Sequence, residues 1–157
     1  MQHVFSFLVF LLICLSVAAF GVMFQPGEWY LSLTKPSWTP PSWLFPPVWS
    51  LLYVMIAIAG WLVWQRDGVQ GAGIAFSMYA IQLILNGLWS WLFFGLHRAD
   101  LAFLDIALLW LAILGNLIAF YSILPTAGLM LAPYLLWVSY AAALNYAIWR
   151  TNIGTAL

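Results

Sequence analysis

Long apolar runs separated by brief polar clusters set the pattern of this chain. The first run, about residues 4–24, carries no charge; at 1.5 Å per residue, about 20 helical residues cross a hydrocarbon core about 30 Å thick. A second run starts at Pro46 or Pro47, where a first helical turn tolerates proline, and ends at Gln65. Three more follow, over about 72–95, 101–121 and 129–149. Short polar links, Arg66 to Gly71, His97 to Asp100 and a turn around Pro125 and Gly128, join them. This predicts an all-α fold, a single domain over 1–157 in which five transmembrane helices form a bundle. The first run reads as a retained span rather than a cleaved leader, because no Lys or Arg precedes it, although Ala18 and Ala19 resemble a cleavage site.

Residues 25–45 break the pattern. They hold Glu28, Lys35 and the segment Lys35-Pro36-Ser37-Trp38-Thr39-Pro40-Pro41-Ser42-Trp43. Proline removes backbone donors and restrains the preceding residue, so a long irregular first loop is expected. Loops of this length are usually functional or disordered.

Composition sharpens the membrane reading. The chain is 66% hydrophobic and 5% charged, with mean hydropathy +1.03, outside the range of water-soluble domains. Of the formal charges Glu28, Lys35, Arg66, Asp67, Arg98, Asp100, Asp105 and Arg150, only Asp105 falls within a run. A charge at the bilayer centre costs roughly 2.5 to 3.5 kcal/mol on insertion scales, which explains the sorting. Acids and bases balance and no basic tract exists, so nucleic acid is excluded as a partner class. The pattern contains no HExxH, Cys/His cluster or phosphate loop, so neither a metal nor a required cofactor is expected. With five spans the termini lie on opposite sides, and Lys35, Arg98 and Arg150 on one side favour a cytoplasmic carboxyl terminus.

Eleven tryptophans are in part an interfacial belt, the reading that suits Trp29, Tyr30, Trp61, Trp64 and Trp149 near span ends. On the third span Tyr79, Gln82, Asn86 and Ser90 recur at spacings of three and four and form one polar stripe. Such a stripe is either a set of interhelical hydrogen bonds or the polar wall of a cavity. Trp49 and Tyr53 on the second span, Asn86 and Trp89 on the third, and Trp137, Tyr140, Ala141 and Asn145 on the fifth each share a face. Convergence of those faces makes an aromatic, sparsely polar pocket suited to a large planar molecule, although a packed aromatic core fits the same spacing. Asp105 lies about one turn into the fourth span, where it is expected to reach water or pair with a basic loop residue. Leu144, Tyr146 and Arg150 match the loose sterol-contact template, which many helix ends satisfy.

Several segments in order resemble the tryptophan-rich sensory protein and translocator protein family, formerly called the peripheral benzodiazepine receptor. They are Trp29-Tyr30 with Lys35 to Pro41, Pro47-Val48-Trp49 with Leu52-Tyr53, Gln82-Leu83 with Asn86, Phe93-Phe94-Gly95, Leu104-Asp105, Pro133-Tyr134-Leu135 with Trp137, and Leu144-Asn145-Tyr146 with Trp149-Arg150. The resemblance implies a five-helix bundle that binds tetrapyrroles such as protoporphyrin IX, sterols, and isoquinoline or benzodiazepine-type compounds, with the first loop as a lid. It places Trp49, Asn86, Trp137 and Ala141 at pocket positions and Tyr30, Pro40, Phe45 and Tyr53 around them. Trp38, Trp89 and Ser90 complete the candidate ligand-binding set. Phe45-Pro46-Pro47 departs from the glycine or single proline of many relatives and implies a stiffer entry to the second helix.

The resemblance also implies a multi-pass protein of a bacterial membrane, a homodimer, and a role in porphyrin transport, sensing or regulation. Small residues at Gly73 and Ser77, or Gly115 and Ala119, would allow close helix approach between copies. Two other readings stand beside it: light-dependent porphyrin degradation with the pocket tryptophans as redox partners, and a structural membrane protein whose aromatics only pack. No acid–base or nucleophilic constellation supports an ordinary catalytic mechanism.

Overall fold

A computed structural model describes residues 2–154 of the protein. The described residues are helical apart from the links between helices, and five helical stretches are long and apolar enough to span a bilayer: His3–Val22, Ser42–Gly71, Gly73–Gly95, Ala99–Ile123 and Pro125–Thr151. The described residues form seven α-helices, α1 (Gln2–Val22), α2 (Glu28–Ser32), α3 (Phe45–Gly71), α4 (Gly73–Ser90), α5 (Ala99–Ile123), α6 (Pro125–Met130) and α7 (Ala132–Thr151), of which α2 lies outside the five spans.

Each difference from the expected boundaries has a local cause. Residues 25–45 are not wholly irregular, because Glu28–Ser32 forms α2 and Ser42–Leu44 a 3₁₀ turn that leads into α3. The prolines at 46 and 47 fall in the first turn of α3, where their missing N–H groups have no intrahelical acceptor to lose. At its other end α3 continues beyond Gln65, and the turn comes at Gly68, whose φ of +60° suits a residue without a Cβ. Past Ser90, α4 widens into a π-turn over Trp91–Gly95, with Leu96 N–H donating to the Trp91 carbonyl at 2.8 Å. The fifth span starts earlier than expected, as the short helix α6 at Pro125, and breaks at Leu131 ahead of Pro133.

Helix α5 packs against α4 and α7, while α1 packs on α3 and α4, so α1 closes one side of the bundle. Lipid is as apolar as leucine, so burial of apolar surface does not drive helices together here; close packing and interhelical hydrogen bonds do. Accordingly the outward residues are large and apolar, among them Leu12 on α1, Ile84 on α4 and Leu111 on α5. Small residues sit at the contacts. A Cβ on Gly60 would lie 2.9 Å from the rings of Phe10 and Tyr79. Gly115 faces Met78 of α4 and Ala119 packs on the core, so that small-residue pair is used inside the chain, whereas Gly73 and Ser77 remain exposed.

One end of the bundle joins Ser6 of α1 to Trp61 and Gln65 of α3 through side-chain hydrogen bonds. The other end gathers residues 25–45, the α4–α5 link and the end of α7. There Thr34 and Asn152 exchange two hydrogen bonds, of 3.0 and 2.9 Å.

Candidate ligand-binding site

Tyr79, Gln82 and Asn86 share the inward face of α4 because residues three and four apart project alike, and all three are buried. Asn86 is the junction. Its Oδ1 accepts from Tyr53 Oη of α3 at 2.5 Å, and its Nδ2 donates to Tyr134 Oη of α7 at 2.8 Å. One helical turn toward the first loop, the Trp49 ring lies 5.6 Å from Tyr53 and 6.1 Å from Tyr134, centroid to centroid. Phe45 meets Trp137 edge-on at 5.8 Å, and Trp137 neighbours Tyr140 at 5.9 Å. Trp89 donates to Asn145 Oδ1 at 2.9 Å, and Asn145 donates to the Ala99 carbonyl at 2.8 Å, tying α4 and α7 to the start of α5. Ala141, partly buried, packs against the same core. The faces of α3, α4 and α7 therefore do converge, into an aromatic cluster crossed by a short chain of hydrogen bonds.

Residues 25–45 cover its end. Tyr30 packs edge-on against Phe93 and Phe94, and burial raises its phenol above the ordinary tyrosine value. Lys35 Nζ stands 4.7 Å from the Tyr30 ring centroid and donates to the carbonyls of Tyr30 at 2.6 Å and Leu33 at 2.9 Å. Trp38 contacts the Tyr140 ring at 5.6 Å, and the Trp38 carbonyl accepts from Tyr140 Oη at 2.6 Å. Trp29 stacks on His97 at 4.4 Å, which fastens the segment to the α4–α5 link. Pro40 is half-buried within it.

Other expected site residues lie apart. Ser90 Oγ sits against Gly21 of α1, 3.3 Å from where a Cβ would stand, so it serves the α1 contact. Leu144 points into the core, while Tyr146 and Arg150 are exposed and Tyr146 packs with Phe103 and Trp149. The three residues of the sterol template thus occupy two different faces of α7. An outward groove of about 390 Å³ between Val17 and Phe20 of α1 and Leu83 and Gly87 of α4 is lined by none of the aromatic cluster's residues.

Asp105 differs from expectation. It neither reaches water nor pairs with a base, because it belongs to the buried strip of Ala102, Ile106 and Leu109 and is 5% exposed. The ion pairs among the described residues are Arg66 with Asp67 and Arg98 with Asp100. Tyr134, fully buried at the heart of the site, is the residue that the sequence reading left out of the candidate set. Its signal was its place three residues before Trp137, on the same face of α7. The buried Cys14 Sγ of α1 lies 3.3 Å from Tyr79 Oη. Among the described residues no three His, Cys, Asp or Glu side chains come together as a metal-ligand set.

Comparison with known proteins gives this geometry a family. Residues 9–150 match the family model described as TspO/MBR family. The chain is 42% identical over 151 residues to Protein CrtK of Rhodobacter capsulatus, covering 94% of this chain and 93% of that one. It is 38% identical over 146 residues to the tryptophan-rich sensory protein of Cereibacter sphaeroides, covering 93% and 90%. Against the translocator protein of Homo sapiens it is 38% identical over 139 residues, covering 85% and 82%. With the match running through the helices that carry Trp49, Asn86 and Trp137, this multi-pass integral membrane protein belongs to the TspO/MBR family.

Proposed function

We propose that the protein binds flat hydrophobic ligands of the tetrapyrrole class, protoporphyrin IX foremost, and acts in their transport, sensing or regulation. Sterols and isoquinoline or benzodiazepine-type compounds are the further ligand classes of the same site. The observations that support this reading are the meeting of Tyr53 and Tyr134 at Asn86 with Trp49 beside both rings, and the row of Phe45, Trp137 and Tyr140 that the first loop reaches through Trp38. Ring faces bind a planar macrocycle by stacking, and a few polar groups orient it. Residues 25–45 act as the lid, since the bonds at Tyr140 and Asn152 can open without unfolding the helices.

Titration of the full chain in detergent micelles with protoporphyrin IX is the test, read by tryptophan fluorescence. Saturable quenching is expected, with Trp49→Phe and Trp137→Phe each weakening affinity by roughly tenfold, about 1.4 kcal/mol for the part of the indole face and the N–H that phenylalanine lacks. Unchanged affinity in both variants overturns the site. Failure of the wild type to quench saturably overturns the function. The same reading puts the carboxyl terminus, with Lys35, Arg98 and Arg150, on the cytoplasmic side of a bacterial membrane, and a homodimer would use the exposed Gly73 and Ser77 face.

A further inference from the structure

Some buried polar atoms inside the bundle have no hydrogen-bond partner: both amide atoms of Gln82, both carboxyl oxygens of Asp105, Asn116 Oδ1 and Trp137 Nε1, whereas Asn86, Asn145 and Tyr79 are bonded. Of these residues Asp105 alone is an acid, and it has neither oxygen paired. Among the described residues Asp105 takes part in no ion pair. Lys35 is held by loop carbonyls, Arg66 and Arg98 pair with the acids beside them, and Arg150 is exposed.

The register of α4 and α5 locates the acid. These helices run antiparallel, with Asn116 Nδ2 donating to the Ala75 carbonyl at 3.1 Å. An equal count along each helix from that contact, 75 to 86 and 116 to 105, brings Asp105 level with Asn86. Gln82 stands one turn from Asn86 on the same face of α4. A carboxyl group without partners in a low-dielectric interior is costly, and such groups persist where something other than the fold completes their bonding.

We infer that Asp105, seconded by Gln82, is a hydrogen-bond acceptor for a ligand in this site, which therefore takes flat apolar heteroaromatic molecules bearing an N–H donor. The aromatic residues grip the ring, and the acid selects for the donor. A site built to satisfy a hydrogen bond rejects an analogue lacking it, because its own polar group is then left unpaired. This inference rests on the proposed ligand site.

The experiment displaces protoporphyrin IX, followed by tryptophan fluorescence of the full chain in micelles, with carbazole and with 9-methylcarbazole, which differ only by N–H against N–CH₃. Wild type is expected to favour carbazole by about tenfold, the scale of one buried hydrogen bond. Asp105→Leu is expected to bring the two within about twofold by weakening carbazole alone, and Asp105→Asn, which keeps an acceptor oxygen, to retain part of the preference. Because the acid has no partner to lose, ligand-free Asp105→Leu should melt no lower than wild type; if it does not fold, the Asn variant decides. Equal displacement by the two compounds in wild type, a preference that Asp105→Leu leaves near tenfold, or, where that variant does not fold, a preference undiminished in Asp105→Asn, overturns the inference and leaves the proposed function standing. A wild type that porphyrin does not quench saturably overturns both.

Discussion

Asn86 accepts from Tyr53 and donates to Tyr134, so one amide serves two phenols on two other helices. Asn86→Leu leaves both hydroxyls buried without that partner. Membrane hydrogen bonds average about 0.6 kcal/mol, and a buried group left unsatisfied costs about 1–3 kcal/mol. A loss of about 2 kcal/mol is therefore expected in denaturant titrations in micelles, with Tyr53→Phe costing less than half as much because one bond is lost rather than two. Equal costs would mean that the amide is not the junction. Tyr79, Gln82 and Asn86 were legible as one stripe because periodicity requires no partner helix. Their partners were not legible, since nothing in the spacing on α4 names Tyr134 on α7.

Among the elements, the first loop and the tight turn at α6 carry the sharpest expectations. Tyr140→Phe deletes the tie to the Trp38 carbonyl, and Asn152→Ala deletes the exchange with Thr34. Both should speed proteolysis within residues 33–43 while changing global stability by no more than about 1 kcal/mol, because these bonds open locally. Burial raises the Tyr30 pKa, so the packed loop favours the neutral phenol. That contribution is complete below the unfolded value of about 10 and is lost as pH rises through the folded one. Protease protection of the loop should fall in that alkaline range, and Tyr30→Phe, which cannot ionise, should remove the Tyr30-dependent part of the fall. At α6 a Cβ on Gly128 would lie 2.5 Å from Tyr121 Cβ and 2.6 Å from its backbone, whereas one on Gly60 meets the ends of rings. Overpacking costs about 1–3 kcal/mol, and Gly128→Ala should be the more destabilising in thermal melts, since backbone yields less than a side chain.

For the whole molecule, the bilayer is the solvent that the surface answers to. Leu111, midway along α5, is 59% exposed. In water Leu→Lys at such a site would be nearly neutral; in a bilayer it opposes insertion by about 2.5–3.5 kcal/mol. An insertion assay on α5 should register that penalty for Leu111→Lys, and its absence would contradict a lipid-facing α5.

That the chain is all-α, with five spans apolar enough to cross a membrane, could be read from the sequence, because the cost of charge and unpaired backbone in hydrocarbon acts on each segment independently. Pro46 and Pro47 likewise marked where α3 begins, a constraint local to one residue, whereas Pro125 and Gly128, read as a turn, lie within α6. Tertiary structure alone decided that Asp105 is enclosed rather than paired, that Leu144 and Tyr146 part company, and that Ser90 serves the contact with α1. Which side of a uniformly apolar helix faces protein is set by the shapes packed against it, and no residue's own chemistry distinguishes a leucine that meets lipid from one that meets α5.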